Sequence, residues 1–316
     1  MANDHDDDIY IARGTDHLGF LATKLGDLLG YSTLAHELIQ NAGDAPGASM
    51  VSFDVRAEGL IVDNDGHFSD CKSIRERLCP WKATQNRMCD FHRFRTVAGG
   101  DKRDEAETTG AFGIGFTAVY QITDRPELIS SGRHWSVFEE EPEDKRIKQC
   151  KGCPACEAKG LPGTRFILSW AKDPTTELRQ KLRVDAVGAE TPEQLIEELL
   201  KAVPFALLFV KKLGRIQILD NGRLVKEFSR TLEGDTLTIS DGTETTDWFI
   251  LRGDFSAAAA NLRRAHPGRI EDKRSADISI AIARDPHEDG RLWAYLPTQH
   301  HTGLPFHIQA DFFPKS

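Results

Sequence analysis

Between Tyr31 and Ser49 the chain reads YSTLAHELIQNAGDAPGAS, an apolar helical pattern followed at once by two strand-like runs, 50–56 and 59–63. No other stretch constrains the fold as much. Leu34, Leu38 and Ile39 give the helix an apolar face that must be covered by a second layer. MVSFDV and GLIVD, joined through the turn at Ala57-Glu58-Gly59, supply a sheet to cover it. At about 100° per residue, Glu37, Asn41 and Asp44 fall together on an adjacent face. Two carboxylates and an amide gathered there either line a binding site or form a solvated polar face.

Composition narrows the classes that remain. A chain of 316 residues, 40% hydrophobic and 28% charged, can bury a sizeable core and is expected to form two domains. Its net charge of −9 argues against general binding to nucleic acid, whose phosphates call for excess Lys and Arg. No stretch approaches the roughly 20 apolar residues that span a bilayer. The N-terminal MANDHDDDIY is acidic where an export signal would be basic and then apolar, so no membrane partner and a cytoplasmic location are expected. LPFHIQADFFPKS reads as a strand and a turn without a polar tail, and a C-terminal continuation is expected after it.

Along the chain, a polar helix is expected at about 69–78, then a long mobile loop over 79–109. TTGAFGIGFTAVYQITD begins Gly-rich and becomes apolar-helical. PELISSGRHWSVFEEE and TRFILSW alternate as strands, and the hairpin between them, 139–163, carries cysteines. A boundary helix or linker is expected at 172–186, a helix from Thr191, and strands at 206–211, 215–220, 223–229 and 236–240. ADISIAIARD then alternates ahead of LWAYLPT. The pattern predicts an α/β architecture with one domain over 1–185 and a second, smaller α/β domain over 186–316.

The polar residues suit a nucleoside triphosphate. Asn41 offers a carbonyl oxygen fit for Mg²⁺, and Glu37, one turn earlier, can orient or deprotonate a water aimed at a γ-phosphate. Asp63 ends GLIVD, where a carboxylate could accept from an adenine amino group. Gly110, Gly113 and Gly115 let backbone approach phosphate oxygens at the start of a helix.

In this order the pieces resemble the Bergerat-fold (GHKL) ATPases, whose members include gyrase, the large heat-shock chaperone, histidine kinases and MutL. HELIQNAGDA resembles the chaperone's Glu-x-x-x-Asn-Ala-x-Asp-Ala box, IVDNDGHF its Asp-Gly box, GAFGIGFTAVYQITD its glycine box and GTRFILSW its final Gly-Thr strand, together covering about residues 31–171. The resemblance implies a two-layer α+β sandwich that uses ATP and Mg²⁺. It implies Glu37 as catalytic base, Asn41 as Mg²⁺ ligand, Asp63 as adenine reader and Asp44 as reinforcement of the pocket. Gly113 and Gly115 would be the phosphate-loop glycines, with Gly110, Phe112, Ile114 and Phe116 beside them in the nucleotide site. Thr164 would support the adenine through Asp63 or a water. The usual Asp-x-Gly-x-Gly is here Asp63-Asn64-Asp65-Gly66-His67, which leaves Asp65 as an alternative adenine reader.

Within that superfamily NDGHFSD and LWAYLPTQHHTGLPFHIQADFFP resemble sacsin-type repeats and their bacterial relatives. This implies that 186–316 follows behind the nucleotide site, with Lys315 reaching a γ-phosphate. The implied function is Mg²⁺-dependent ATP binding and hydrolysis. It would drive a conformational switch or nucleotide-dependent homodimerisation in a chaperone-like or defence-type protein with an unidentified protein client. The alternatives are a nucleotide-sensing scaffold with negligible turnover and a phosphotransferase of the histidine-kinase type.

Six cysteines in a chain of this size without an export signal speak against a disulfide framework. CKGCPAC sets Cys150, Cys153 and Cys156 at a repeated two-residue spacing, with Gly152 and Pro154 to shape the tight turns of a zinc knuckle. A fourth ligand could come from Cys89 or His92 in CDFH, or from Cys79; the other reading is a hairpin tip of free thiols. His134 and His307 are expected to be simply packed or solvated. The basic clusters RFRTVAGGDKR and NLRRAHPGRIEDKR read as solvated charged faces, the other reading being contact with phosphates of nucleic acid or, for the first, of the nucleotide.

Overall fold

Helix α1 (His17–Gly26) is capped by Asp16, whose carboxylate accepts from the Gly19 amide, and α2 (Tyr31–Asp44) follows with its apolar residues buried as their spacing predicts. The computed structural model describes residues 16–96, 115–267, 276–285, 289–294 and 296–311. A hairpin of β1 (Met50–Val55) and β2 (Gly59–Asn64) leads to two short helices, α3 (Pro80–Gln85) and α4 (Asp90–Phe94). A 3₁₀ helix over Gly115–Gln121 precedes β3 (Pro126–Ser130), β4 (Arg133–Val137), β5 (Ile147–Gln149), α5 (Pro154–Glu157) and β6 (Thr164–Ser169). Then come α6 (Glu177–Leu182), α7 (Thr191–Phe209), β7 (Arg215–Asp220), β8 (Arg223–Glu233), β9 (Thr236–Ser240) and β10 (Thr245–Asp254). The described chain closes with α8 (Ser256–Ala265), β11 (Asp277–Ala283), β12 (Arg291–Ala294), β13 (Leu296–His301) and β14 (Phe306–Ala310).

The fold is mixed α/β. Its described strands form one sheet in the order β13-β12-β14-β11-β10-β9-β8-β7-β1-β2-β6-β3-β4-β5. Strand β1 pairs antiparallel with β2 and parallel with β7, in a register running from Met50 opposite Arg215 to Val55 opposite Asp220. Alternate residues of these strands, Val51, Phe53, Leu60, Val62, Ile216 and Ile218, are buried in one core with Leu34 and Leu38 of α2 and Leu195, Leu199 and Val203 of α7. The expected division at 185/186 therefore does not separate two cores. Helix α7 and strand β7 complete the first unit, because a sheet edge recruits its neighbour by backbone hydrogen bonds regardless of sequence distance. A distinct second domain is not delimited there.

Three local expectations differ from the structure. Residues 206–211 are not a strand: α7 runs to Phe209 with Pro204 inside it, and Ala206, Leu207 and Leu208 are buried. An apolar run of this length has no period that separates a buried strand from a buried helix. Residues 69–78 are turns rather than a helix, because side chains take up their backbone groups. Asp70 accepts from the Lys72 amide at 2.7 Å, and the Arg95 guanidinium reaches the carbonyls of Ile74 and Arg77.

Residues 79–96, expected as half of a mobile loop, hold α3 and α4 instead; the rest of that loop lies outside the described residues. Cys89, Phe91 and Phe94 are buried in the core, and Arg93, expected on a basic face, is buried against Asp90 at 3.0 Å.

The stretch expected as a boundary is likewise fastened down. Thr176 caps α6, Leu178 and Leu182 pack with Leu21 and Leu25 of α1, and Arg179, only 1% exposed, pairs with Asp124 at 2.8 Å. Burial lowers the Arg179 pKa, and the Asp124 carboxylate opposes that shift. No helix among the described residues is long and apolar enough to cross a membrane.

Candidate functional site

Helix α2 and the start of the 3₁₀ helix meet at Glu37. The Glu37 side chain is nearly buried, and a Cβ built on Gly115 would overlap its carboxylate oxygens. Only glycine lets the backbone come this close, so the last glycine of GAFGIG and the predicted base are in one place. One turn on, Asn41 is half-buried, and its Nδ2 is a buried donor with no partner among the described residues. Asp44, also half-buried, ends the helix. Phe116 is buried and its ring packs on Phe94 at 5.3 Å and on Phe166 of β6 at 5.1 Å, which ties the 3₁₀ helix to α4 and the sheet. Gly110, Phe112, Gly113, Ile114 and Lys315 lie outside the described residues.

Strand alternation decides which residue of the Asp box faces this core. Leu60, Val62 and Asn64 are buried, whereas Ile61 and Asp63 are on the opposite face. There Asp63 accepts two hydrogen bonds from Arg165, at 2.7 and 2.6 Å, and this pairing raises the arginine's pKa. Asp63 is thus paired with Arg165 on the face away from that core. Asp65 is bonded elsewhere. Its carboxylate accepts from the Ser49 amide at 2.7 Å, the Ser49 hydroxyl at 2.5 Å and the Met50 amide at 2.9 Å, bracing the start of β1. Burial would raise the Asp65 pKa, but these bonds outweigh it and hold the carboxyl below its usual range.

The residue that takes the core-facing position is Asn64, 3% exposed, opposite fully buried Thr164 on β6. Asn64 Oδ1 accepts from the Gly66 amide at 3.0 Å, Thr164 donates to the Gly66 carbonyl at 2.8 Å, and Ser130 joins Thr164 at 2.8 Å. The acidic residues of the box do not mark Asn64; the alternation of GLIVDN, counted from buried Leu60 and Val62, does. A separate cavity of about 1420 Å³ is bounded by Asp70, Arg75, Arg133 and Arg146, and Glu37, Asn41 and Asn64 do not line it.

The cysteines fall into two groups, all with free thiols. Cys150, Cys153 and Cys156 gather with His134 of β4, their ligand atoms all within 4.8 Å of one another. His134 Nδ1 is 3.4 Å from Cys153 Sγ, Nε2 is 2.6 Å from Glu127, and the Gly152 amide donates to Cys150 Sγ at 3.4 Å. Gly152 has φ of 151°, a backbone open chiefly to glycine. The fourth member of the knuckle is therefore His134, which was expected to be simply packed, and not Cys79, Cys89 or His92. The hairpin pairing of β4 with β5 brings His134 beside Cys150, whose amide donates to the His134 carbonyl at 2.8 Å. Cys79, Cys89 and His92 gather instead with Cys71, again within 4.8 Å. His307 is packed as expected, with its Nδ1 accepting from the Arg291 amide and the Trp293 indole.

Residues 25–151 match the family model of the Sacsin domain. The chain is 27% identical over 310 residues to protein NO VEIN of Arabidopsis thaliana, an alignment that covers 90% of this chain and 10% of that protein. It is 35% identical over 103 residues to human sacsin, covering 31% of this chain and 2% of sacsin. Similar solved structures include the N-terminal domain of a DNA repair protein, at 10% identity and a TM-score of 0.44, covering 92% of this chain and 86% of that one. Another is the ATPase region of Saccharomyces cerevisiae topoisomerase II, at 12% identity and a TM-score of 0.36, covering 84% and 62%. The family match spans the helix that bears Glu37 and Asn41, the Asp box, the glycine box and the first cysteine of the knuckle, so residues 25–151 are similar to a Sacsin domain.

Proposed function

We propose that the chain binds Mg²⁺-ATP between α2, the core face of β2 and β6, and the glycine-rich segment that ends at Gly115, and that it hydrolyses the nucleotide. The observation that carries this reading is the contact between the Glu37 carboxylate and the Gly115 backbone, which brings a base and a phosphate-loop glycine together. The unpartnered Nδ2 of Asn41, one turn away, fits a site that expects a ligand. Asn41 would hold the Mg²⁺ through its carbonyl oxygen, and the ion when bound supplies charge to neutralise the phosphates. Glu37 orients a water and takes its proton as the water oxygen bonds to the γ-phosphorus and the β–γ bridging bond breaks. Asn64, with a donor and an acceptor on one buried amide, suits the adenine edge, and the Thr164–Ser130 pair fixes the backbone beside it. The turnover drives a conformational or dimerisation switch toward a protein client.

Binding of a fluorescent ATP analogue and phosphate release, measured together on the purified chain, test this reading. The wild-type chain should bind in the presence of Mg²⁺ and release phosphate. Asn64→Ala should weaken binding by about 10-fold, the worth of one well-placed hydrogen bond in a dry site. Asp63→Asn should stay within about twofold of wild type, since Asp63 is bonded to Arg165 on the other face. The reverse ranking would return adenine recognition to Asp63, and absence of binding in the wild type would dismiss the nucleotide altogether.

The knuckle of Cys150, Cys153, Cys156 and His134 is proposed to hold a structural zinc. Its three thiolates and one imidazole form a closed four-ligand set, and the Glu127 carboxylate on the outer His134 nitrogen is the kind of second contact that fixes a ligating imidazole. Cys153→Ser should lose one zinc equivalent by elemental analysis and melt at a lower temperature than wild type; unchanged zinc content would refute the assignment.

A further inference from the structure

The knuckle accounts for half of the cysteines. The other three converge from separate points of the chain: Cys71 in the turns after the Asp box, Cys79 just before α3 and Cys89 just before α4. Neither Cys79 nor Cys89 caps its helix with its side chain, so capping does not account for them. With His92 of α4 they bring four ligand atoms within 4.8 Å of one another. His92 Nδ1 stands 3.2 Å from Cys89 Sγ and 3.4 Å from Cys71 Sγ, and the Cys89 amide donates to Cys79 Sγ at 3.3 Å. In a tetrahedral zinc site neighbouring ligand atoms are about 3.5–3.8 Å apart, given Zn–N near ~2.0 Å and Zn–S near ~2.3 Å. The observed contacts are close to that spacing without any sulfur pair being bonded.

The outer nitrogen of His92 is also fixed as a ligand's would be. Its Nε2 lies 3.2 Å from the Glu76 carbonyl, which leaves Nδ1 to the sulfurs. His134 in the knuckle has the same arrangement, with Nδ1 toward sulfur and Nε2 toward an oxygen. Three of the four side chains here are buried and Cys71 is half-buried, so no position is left open for a substrate.

We infer that Cys71, Cys79, Cys89 and His92 form a second, closed zinc site, independent of the knuckle. Its ligands come from the turns at 69–78, from the residues just before α3 and α4, and from α4 itself, short helices of six and five residues in a segment too short to bury a core by itself. Zinc held there pins α4, and through α4 it holds Phe91 and Phe94 in the aromatic cluster that contacts Phe116 and Phe166. The metal has a structural role beneath the nucleotide-binding face and does not depend on the proposed ATPase activity.

Zinc is counted by elemental analysis of the full chain, purified without chelator, and by its release into a chromogenic chelator as the thiols are titrated with an organomercurial. Cys153→Ser is the informative background, because it removes the knuckle metal alone. That variant should retain one zinc equivalent, and Cys153→Ser with Cys89→Ser should retain none. Cobalt exchanged into Cys153→Ser should give one equivalent with thiolate-to-metal charge transfer and intense tetrahedral d–d bands. If Cys89→Ser fails to fold, the zinc count and cobalt spectrum of Cys153→Ser still decide the matter. A Cys153→Ser chain without zinc, one holding iron instead, or equal zinc in the single and double variants would overturn the second site. Retained zinc with no ATP binding would uphold it while the nucleotide reading fell.

Discussion

Glu37→Gln should bind ATP as tightly as the wild-type chain and lose on the order of 10²-fold or more in turnover. The glutamine amide has the shape of the carboxylate and can keep its place against Gly115, so the pocket is preserved. It has no basic oxygen able to take a proton at neutral pH, and a positioned general base is worth about 10²–10⁴ in rate. Removing it raises the barrier by about 2.7 kcal/mol or more. Single-turnover phosphate release at saturating ATP isolates the chemical step from binding. Turnover equal to wild type would show that the polar face of α2 serves only to bind, and would move the chain to the class of nucleotide-sensing scaffolds.

The largest stability effect is expected at Phe91. Phe91→Ala should cost about 3–5 kcal/mol, the range for emptying a fully buried aromatic site. The ring is 0% exposed, sits 4.9 Å from Trp135 and 5.4 Å from Phe68 in edge-on contacts, and lies beneath the Arg133 guanidinium. Urea denaturation read from tryptophan fluorescence measures it, with the slope checked for a change in cooperativity. A cost below about 1 kcal/mol would mean that 79–96 behaves as the loop its polar composition suggests. A cost in the expected range makes α4 an integral part of the core.

Much of the frame was legible because local periodicity survives in it. Helix α2 formed over Tyr31–Asp44 with Glu37, Asn41 and Asp44 on one side, and the hairpin at 50–64 paired as its alternation required. The grouping of the knuckle thiols was legible from their spacing alone. The unclear stretches were those where period and burial disagree. FALLFV is apolar throughout and became the end of α7, and the polar run at 79–96 hides Phe91 and Phe94 among charges that pair internally.

What the sequence by itself determined is the set of chemical parts: a helix carrying carboxylates and an amide, a strand running into Asp63-Asn64-Asp65, glycines before Phe116, and one closely spaced group of thiols. Only the tertiary structure decided which of them meet. Whether Asp63 or Asn64 faces the core depends on strand phase, and the phase is set by how β2 registers between β1 and β6. His134 joins the knuckle through the β4–β5 pairing, and Cys71 meets Cys79, Cys89 and His92 because the chain turns back on itself after β2. These choices are made by backbone hydrogen bonds and buried side chains far apart in sequence, so no local pattern encodes them.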